Sequence, residues 1–179
     1  MIKLQDITER DTELLDYIRS VYEYSFPEDE RRDFDKVKEL LKEIGAFRLA
    51  LIEKDETPVG LFAYWQWPDL RYVEHFAVDR NCRGDGIGAD ILRVFVEMAD
   101  TPVVLEVEHP DDEICSRRIR FYERQGFVLH DTFDYVQPPY DATKKALHLY
   151  LMTYGMPGFA DCCCEIEKRL HTQVYGVRF

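Results

Sequence analysis

Three glycines at every second position, Gly84, Gly86 and Gly88, are suited to an anion-binding turn. They follow an apolar strand pattern at 72–78 and precede an amphipathic helix. At the start of a helix the unpaired N–H groups and the positive end of the helix dipole attract anions, and glycine lets a phosphate approach the backbone. Arg83 adds a donor at the rim. The sequence therefore predicts a phosphate site at this turn.

The spacing of these glycines excludes two common nucleotide-binding sites. A dinucleotide-binding turn has the spacing Gly-x-Gly-x-x-Gly and an acidic residue at the end of the second strand, and neither is present. A Walker loop is excluded because no Gly-Lys-Ser/Thr follows. The phosphate must belong to another class of ligand.

Hydrophobic periodicity places the elements around this turn. Helices are predicted at 10–24, 37–44, 91–99, 116–125 and within 155–179, with Gly45 and Gly126 as C-terminal caps. Strands are predicted at 2–7, 47–53, 59–67, 72–78, 103–108, 127–136 and 146–154. The order predicts an α/β fold with a mixed sheet and helices against it. We expect a single domain at 1–154 and a helical appendage at 155–179, packed on the domain or at a dimer interface.

Composition limits the classes of partner. The chain has 179 residues, with 23 Lys and Arg against 35 Asp and Glu, and its net charge of −12 argues against nucleic acid and anionic membranes. The five cysteines do not suggest a disulfide framework, and Cys162, Cys163 and Cys164 lack the spacing of a zinc site. No apolar segment predicts a membrane span or signal peptide, so we expect a cytoplasmic protein. We expect no metal.

Two runs of residues resemble the GNAT acetyltransferase superfamily. The run 83–88, Arg-Gly-Asp-Gly-Ile-Gly, fits its Arg/Gln-x-x-Gly-x-Gly/Ala signature between the fourth strand and the third helix. The run 121–127, Phe-Tyr-Glu-Arg-Gln-Gly-Phe, is similar to the Tyr-Glu-x-x-Gly-Phe ending of the family's next helix. The order of elements over 1–154 agrees. The resemblance implies the GNAT acyl-CoA N-acyltransferase fold.

The resemblance implies acetyl-CoA, or a related acyl-CoA, as cosubstrate. Backbone N–H groups of the glycine turn would hold the pyrophosphate. The residues of that turn are Arg83, Gly84, Asp85, Gly86, Ile87 and Gly88. The pantetheine arm would pair with the end of the fourth strand at Phe76, Ala77 and Val78, where a backbone N–H can stabilise the oxyanion.

The resemblance also implies direct acyl transfer to an amine. Tyr122 matches the tyrosine that protonates the leaving CoA thiolate in many members. Glu74, on the fourth strand, is the first candidate for the base or water relay, and Glu106 and Glu108, which share one face of the fifth strand, are the alternatives. Period-two alternation points His75 away from Glu74, which favours a structural role.

Three positions depart from the family pattern. Many members carry Asn and then Ala in the helix before the tyrosine, and this chain has Cys115 and Arg118 at those positions. In the family the Asn side chain contacts CoA. Here His109 or Ser116 would have to make that contact. Asp85 also places a negative charge inside the pyrophosphate turn.

The acceptor side is less specific. The first two helices and the final strands contribute aromatic and acidic residues, which suit a cationic amine. They are Tyr24, Phe26, Glu28, Asp29, Glu30, Tyr135, Tyr140 and Tyr150, with Trp65 and Trp67 nearby on the third strand. Arg31 and Arg32 suit an acceptor carboxylate instead, or pair with their acidic neighbours. We expect a primary amine of a small molecule as acceptor. The alternatives are a protein or peptide amine, or a non-catalytic acyl-CoA-binding module, and a homodimer is possible.

Overall fold

Seven strands and five helices follow one another in the predicted order in a computed structural model that describes residues 1–178. The α/β class is therefore confirmed. The chain divides into two units, Met1–Thr101 and a second unit that begins at Pro102. No helix within residues 1–178 is long and apolar enough to cross a membrane.

The first unit is an antiparallel sheet of four strands with three helices. The strands are β1 (Ile2–Asp6), β2 (Phe47–Lys54), β3 (Thr57–Gln66) and β4 (Arg71–Val78), each paired with the next. The helices are α1 (Thr12–Ser25), α2 (Phe34–Glu43) and α3 (Ile87–Glu97), and the 3₁₀ turns Glu28–Glu30 and Arg80–Cys82 follow α1 and β4. Because β2 and β3 are almost continuously buried, they form the centre of this unit.

Two local predictions in this unit have different outcomes. The connection predicted between the second and third strands, 54–58, is in the structure a two-residue hairpin turn of Asp55 and Glu56, with φ of 51° and 64°. Positive φ at both central residues is the geometry that matches the twist of a two-residue hairpin. Gly45, by contrast, does not cap α2 through a left-handed residue. The C-cap is Ile44, in an extended conformation, and the chain runs directly towards β2.

The second unit is a three-stranded antiparallel sheet with two helices. The strands β5 (Val103–Glu108), β6 (Val128–Gln137) and β7 (Leu147–Tyr154) lie in the order β5-β7-β6. The helices are α4 (Glu113–Arg124) and α5 (Phe159–Arg169), and a π-helical segment, Leu170–Val174, continues α5. The C-terminal helix is therefore confirmed.

Both ends of α4 are fixed by local interactions. The carboxylate of Asp112 accepts a hydrogen bond from the backbone N–H of Cys115 at 2.7 Å, which caps the first turn. At the other end Gly126 has a φ of 89°, the left-handed conformation that commonly ends helices. The predicted cap at Gly126 is present, and it fixes where the helix of Tyr122 ends.

Candidate active site

The turn between β4 and α3 has a left-handed backbone at three successive residues. The φ angle is 116° at Gly84, 50° at Asp85 and 74° at Gly86. A Cβ atom at Gly84 or Gly86 would meet no atom within 4 Å, so the backbone conformation, and not crowding, favours glycine there. Aspartate is one of the few other residues that tolerate this region, which accounts for Asp85 in the middle of the turn.

The N-terminus of α3 is open to an anion. Gly86 is its N-cap, and no side chain bonds to the cap position. The N–H of Ile87 donates to the carbonyl of Gly84 at 3.1 Å, which tightens the turn. The N–H groups of Ala89 and Asp90 donate to the carbonyl of Gly86 at 2.9 and 3.2 Å, which leaves the N–H groups of Gly86 and Gly88 for a ligand. The dipole of this 11-residue helix adds positive potential. The turn therefore fits a phosphate group.

Arg83 joins the turn to the end of β4. Its Nε donates to the carbonyl of Val78 at 3.1 Å, and the side chain is exposed. One guanidinium nitrogen of Arg83 is thus held by the backbone of β4, while the side chain lies at the rim of the glycine turn, as predicted. The negative charge of Asp90, in the first turn of α3, is balanced by Arg93 at 2.7 Å.

The end of β4, where the pantetheine arm is predicted, is held tightly against β3. A Cβ atom on Gly60 would lie 2.2 Å from the carbonyl oxygen of Ala77 and 3.1 Å from the Cα of Val78. Only glycine allows the two strands this approach. Phe76 stacks on Phe62, with ring centroids 4.4 Å apart. Residues 76–78 therefore have a fixed backbone.

A contact that the sequence did not reveal anchors the glycine turn to α1. The hydroxyl of Tyr17 donates to Oδ2 of Asp79 at 3.1 Å, and the backbone N–H of Arg80 donates to the hydroxyl of Tyr24 at 3.2 Å. The Arg80 guanidinium also lies 4.7 Å from the centre of the Tyr24 ring. No local pattern links residues so distant in sequence.

Glu74 is buried and ion-paired. Its side chain is 1% exposed, and its Oε1 accepts from Nε of Arg32 at 2.7 Å. Its Oε2 accepts from the indole N–H of Trp65 at 2.6 Å. Arg32 lies in the segment between α1 and α2, so the pair ties that segment to β4.

The pKa of Glu74 is lowered. Burial alone raises this pKa, but the charge of Arg32, the electrostatic effect of the nearby His75 and the hydrogen bonds from Trp65 and Arg32 outweigh it. A carboxylate stabilised in this way is a weaker base than a free one. The contacts therefore favour a supporting role for Glu74 over direct removal of a proton.

A β-bulge explains why Glu74 and His75 lie together. Ala63 pairs with His75 and Tyr64 with Val73, so Glu74 has no partner on β3. The extra residue interrupts the alternation of the strand. Oε1 of Glu74 and Nδ1 of His75 are 3.9 Å apart, so the expectation that they point to opposite faces was wrong.

His75 is part of the core of the first unit. It is 4% exposed, its Nε2 lies 3.1 Å from the carbonyl oxygen of Glu30, and its ring contacts Tyr22 and Phe26. Burial lowers its pKa more than the nearby Glu74 raises it. These contacts agree with the structural role expected for it.

Tyr122, in the second unit, is a buried phenol on α4. It is 9% exposed, and its ring contacts Phe121 and Phe127 at centroid distances of 5.2 and 5.5 Å. Burial, with a contribution from Glu108 and against that of Arg118, raises its pKa to about 12. The phenol therefore keeps its proton at neutral pH, as a general acid must.

Arg118 and Cys115, the two residues of α4 that depart from the family pattern, have different environments. Arg118 forms an ion pair with Glu108 of β5, one helical turn before Tyr122. The thiol of Cys115 has a pKa raised to about 11, because burial and the nearby acidic groups disfavour the thiolate. Ser116 donates to the carbonyl of Pro110 at 3.4 Å. Glu108 is thus engaged by a cation close to Tyr122.

Glu106 lies in a tyrosine cluster. The hydroxyl of Tyr135 donates to its Oε1, and the hydroxyl of Tyr175 lies 3.1 Å from Oε1 and 2.9 Å from Oε2. The ring of Tyr140 is 5.2 Å from that of Tyr175. All three candidate carboxylates are therefore involved in specific contacts.

Three other aromatic residues predicted for the acceptor side make packing contacts outside this tyrosine cluster. Trp65 and Trp67 stack at 5.9 Å inside the first unit, where both are buried. Tyr150 faces Val107 in the β5–β7 register and stacks on His109 at 4.0 Å. Since Val107 and Glu106 are consecutive, Tyr150 lies on the sheet face opposite to Glu106.

A groove along α4 has positive charge, unusual in a chain of net charge −12. Its volume is about 610 Å³, and it is lined by Glu113, Ile114, Arg117, Arg118, Arg120, Phe121 and Arg124. Arg118 and Arg120 form ion pairs with Glu108 and Glu113, and Arg117 and Arg124 contribute further positive charge, which suits a phosphate. Within residues 1–178, no group of three or more His, Cys, Asp or Glu side chains could hold a metal ion.

Comparisons with known proteins agree with this geometry. A model of the acetyltransferase (GNAT) family matches residues 12–127. A solved structure from Bacteroides thetaiotaomicron, described as a candidate acetyltransferase of the GNAT family, is 38% identical, with a TM-score of 0.94. The match covers 98% of this chain and 99% of that one. A search of curated proteins gave no match.

More distant structures share the fold alone. An Arabidopsis thaliana protein in complex with the bisubstrate analogue CoA-Ac-MVNAL is 18% identical, with a TM-score of 0.59 over 86% of this chain and 98% of that one. A spermidine N-acetyltransferase chimera that includes Vibrio cholerae sequence is 15% identical, with a TM-score of 0.63 over 86% and 94%.

Proposed function

Because the chain belongs to the GNAT acetyltransferase family and is an acetyl-CoA-dependent N-acetyltransferase, we propose that it acetylates a primary amine of a small molecule. The buried Arg32–Glu74 pair supports this acceptor class best. It holds the segment between α1 and α2, which forms one side of the acceptor site in this family. A fixed segment suits a closed pocket better than an open groove for a polypeptide. The predicted cytoplasmic location is consistent with such an acceptor.

The cosubstrate site lies in the first unit in this proposal. The open N-terminus of α3 and the left-handed turn 84–86 fit the pyrophosphate, with Arg83, Ile87 and Gly88 completing the turn. The fixed backbone at 76–78 is suited to pairing with the pantetheine arm. Bound acetyl-CoA supplies a thioester whose carbonyl carbon can be attacked by an amine.

Tyr122 is the proposed general acid. Acyl transfer to an amine forms an amide and releases a thiolate, which must gain a proton. The raised pKa of Tyr122 keeps the phenol protonated at neutral pH, so that it can donate a proton to the thiolate as the thiolate leaves. Arg118, one turn of α4 before Tyr122, favours negative charge on the phenol, and its ion-pair partner Glu108 opposes this effect.

Removal of the acceptor's proton is the second step that needs a residue. Glu74 is the base expected from the sequence, with Glu106 and Glu108 as alternatives. Because both oxygens of Glu74 already accept hydrogen bonds, we propose that Glu74 acts by fixing Arg32 and any proton relay passes through water. The pH dependence of kcat/KM in the Glu74→Gln variant tests this. If Glu74 is the base, the variant loses the fall in kcat/KM at low pH. If Glu74 only positions Arg32, that fall remains at the same pH.

The experiment for the proposed function has two stages. Acetyl-CoA is first titrated into the protein by calorimetry, and release of CoA thiol is then measured with amino acids, diamines, aminoglycosides and short peptides. We expect binding of acetyl-CoA and turnover with at least one small amine. Turnover with peptides alone would instead support the polypeptide acceptor, and binding without any turnover would support a non-catalytic acyl-CoA-binding module.

A further inference from the structure

We propose that Glu106 and the tyrosines around it recognise a second ammonium group on the acceptor, so that the preferred substrate is a small diamine. This inference rests on the proposed function and names its substrate class. The cluster consists of Glu106, Tyr135, Tyr140 and Tyr175. Tyr175 comes from the C-terminal appendage, for which the sequence suggested only packing or dimerisation.

The β-sheet register of the second unit brings the first part of the cluster together. Glu108 faces Leu149 of β7, and Leu149 faces Tyr135 of β6. Residues that face each other in antiparallel strands project to the same side, and Glu106 lies on that side because it is two residues from Glu108. Tyr135 can therefore reach across β7 to donate to Glu106.

The C-terminal segment completes the cluster. Nε2 of His171 lies 2.9 Å from the carbonyl oxygen of Val136, which ties the π-helical segment to β6. Tyr175 follows that segment, and its hydroxyl contacts both oxygens of Glu106. Tyr140, from the connection between β6 and β7, packs against the Tyr175 ring.

The chemistry of the cluster suits an ammonium group. A carboxylate offers about four acceptor positions, and phenol O–H groups stabilise its negative charge without cancelling it. Aromatic faces add a favourable interaction with a cation. Glu106, Tyr140 and Tyr175 are only partly buried, so a ligand can approach. Burial first and then Glu106 raise the pKa of Tyr135, so its phenol keeps the proton that it donates to the carboxylate.

The position along β5 relates the cluster to the reacting groups. Glu106 and Glu108 are two residues apart on one face, roughly 7 Å along the strand. Glu108 pairs with Arg118, and Tyr122 follows Arg118 by one turn of α4. A diamine of a few carbons spans a similar distance, so that with one nitrogen at Glu106 the other lies beside Glu108, whose partner Arg118 is one turn of α4 from Tyr122.

The test uses matched acceptors. CoA release is measured for α,ω-diaminoalkanes from 1,3-diaminopropane to 1,6-diaminohexane and for n-alkylamines in which a methyl group replaces the second nitrogen. We expect kcat/KM of the full-length protein to be about tenfold or more higher for the best diamine than for its monoamine. Glu106→Gln should bring this ratio close to one, mainly through KM of the diamine.

Variants separate recognition from other roles. Tyr175→Phe should lower the diamine preference, while Tyr64→Phe, which removes a tyrosine hydroxyl bonded to Asp6 in the first unit, should not. If Glu106→Gln lowers the rates of diamines and monoamines equally, Glu106 is the base and the proposal is wrong. If Tyr175→Phe lowers only the melting temperature, the contact anchors the appendage and the proposal is wrong.

The two proposals fail differently. Acetylation of monoamines without preference for diamines overturns the inference and leaves the proposed function standing. Absence of turnover with every amine, despite binding of acetyl-CoA, overturns the proposed function. A melting curve for each variant excludes unfolding as the cause of any lost rate.

Discussion

Tyr122 combines burial with a proton that it retains at neutral pH. We predict that Tyr122→Phe lowers kcat by about 10²- to 10⁴-fold, because the departing thiolate loses its proton donor. The dissociation constant of acetyl-CoA should stay within about twofold, since phenylalanine keeps the packing against Phe121 and Phe127. Single-turnover kinetics and calorimetry measure the two quantities.

The control for this prediction is Tyr64→Phe, which also removes one tyrosine hydroxyl. Its kcat should match that of the unchanged protein. In the unchanged protein, ionisation of Tyr122 should not limit the rate until the pH approaches its pKa of about 12. A Tyr122→Phe variant with undiminished kcat would show that the thiolate takes its proton elsewhere.

Glu74 makes a prediction about stability and pH. Its pKa in the folded protein is lowered from the ordinary 4.5, so its contribution to the free energy of unfolding is present above that value and is lost as the pH falls through the folded pKa. Glu74→Gln leaves the buried Arg32 without this carboxylate. We expect a loss of about 3–5 kcal/mol at neutral pH.

Urea unfolding at neutral pH and well below the folded pKa measures this effect. The difference between Glu74→Gln and the unchanged protein should narrow in acid, because the unchanged protein then loses its carboxylate charge as well. Glu39→Gln is the matched surface control: its pair with Lys36 is exposed, at 56% and 67%, so its effect should stay below about 1 kcal/mol. A constant difference at every pH would contradict the assigned charge of Glu74.

Most elements could be predicted from sequence because their signals are local. The hydrophobic period identified every strand and helix, and the glycines at 84 and 86 gave the turn before α3. The bulge at Glu74 could not be predicted, since it depends on how β4 pairs with β3. It changed the expected direction of His75 and placed Glu74 against Arg32.

Long-range contacts account for the rest of what the sequence did not reveal. Tyr17 reaches Asp79, and Tyr175 reaches Glu106, across 62 and 69 residues of chain. A single sequence shows neither pair, because each side chain is of an ordinary type in its own helix or strand. The family resemblance identified Tyr122 as a candidate acid, but only the fold shows that the phenol is buried and that burial raises its pKa above the ordinary 10.

At the level of the strands, Gly60 controls how closely β3 approaches the end of β4. Gly60→Ala would place a Cβ 2.2 Å from the carbonyl of Ala77, so the strands must separate. We expect a loss of about 1–3 kcal/mol in the free energy of unfolding, with weaker binding of acetyl-CoA because residues 76–78 move.

Urea unfolding and calorimetric titration with acetyl-CoA measure both effects in one variant. Gly45→Ala is the control, since its Cβ would meet no atom within 4 Å and its φ is not positive. It should leave both quantities nearly unchanged. If Gly60→Ala destabilises the protein while acetyl-CoA binds as before, the end of β4 does not form part of the cosubstrate site.

The charge of the whole molecule acts on its two substrates in opposite directions. A net charge of −12 repels the phosphates of acetyl-CoA at long range and attracts a cationic amine. Salt screens such fields over about 10 Å at 0.1 M ionic strength, whereas short contacts at the glycine turn are screened less. The overall field should therefore affect rates of association more than the bound states.

We predict that raising the ionic strength increases the association rate constant of acetyl-CoA severalfold and decreases that of a diamine. Stopped-flow fluorescence at several salt concentrations measures both, and sucrose at matched osmolality controls for effects other than screening. Charge-neutralising variants of Arg117 and Arg124 test the local field of the groove on α4. If salt instead slows acetyl-CoA and these variants remove that effect, the local positive groove outweighs the acidic surface in guiding the cosubstrate.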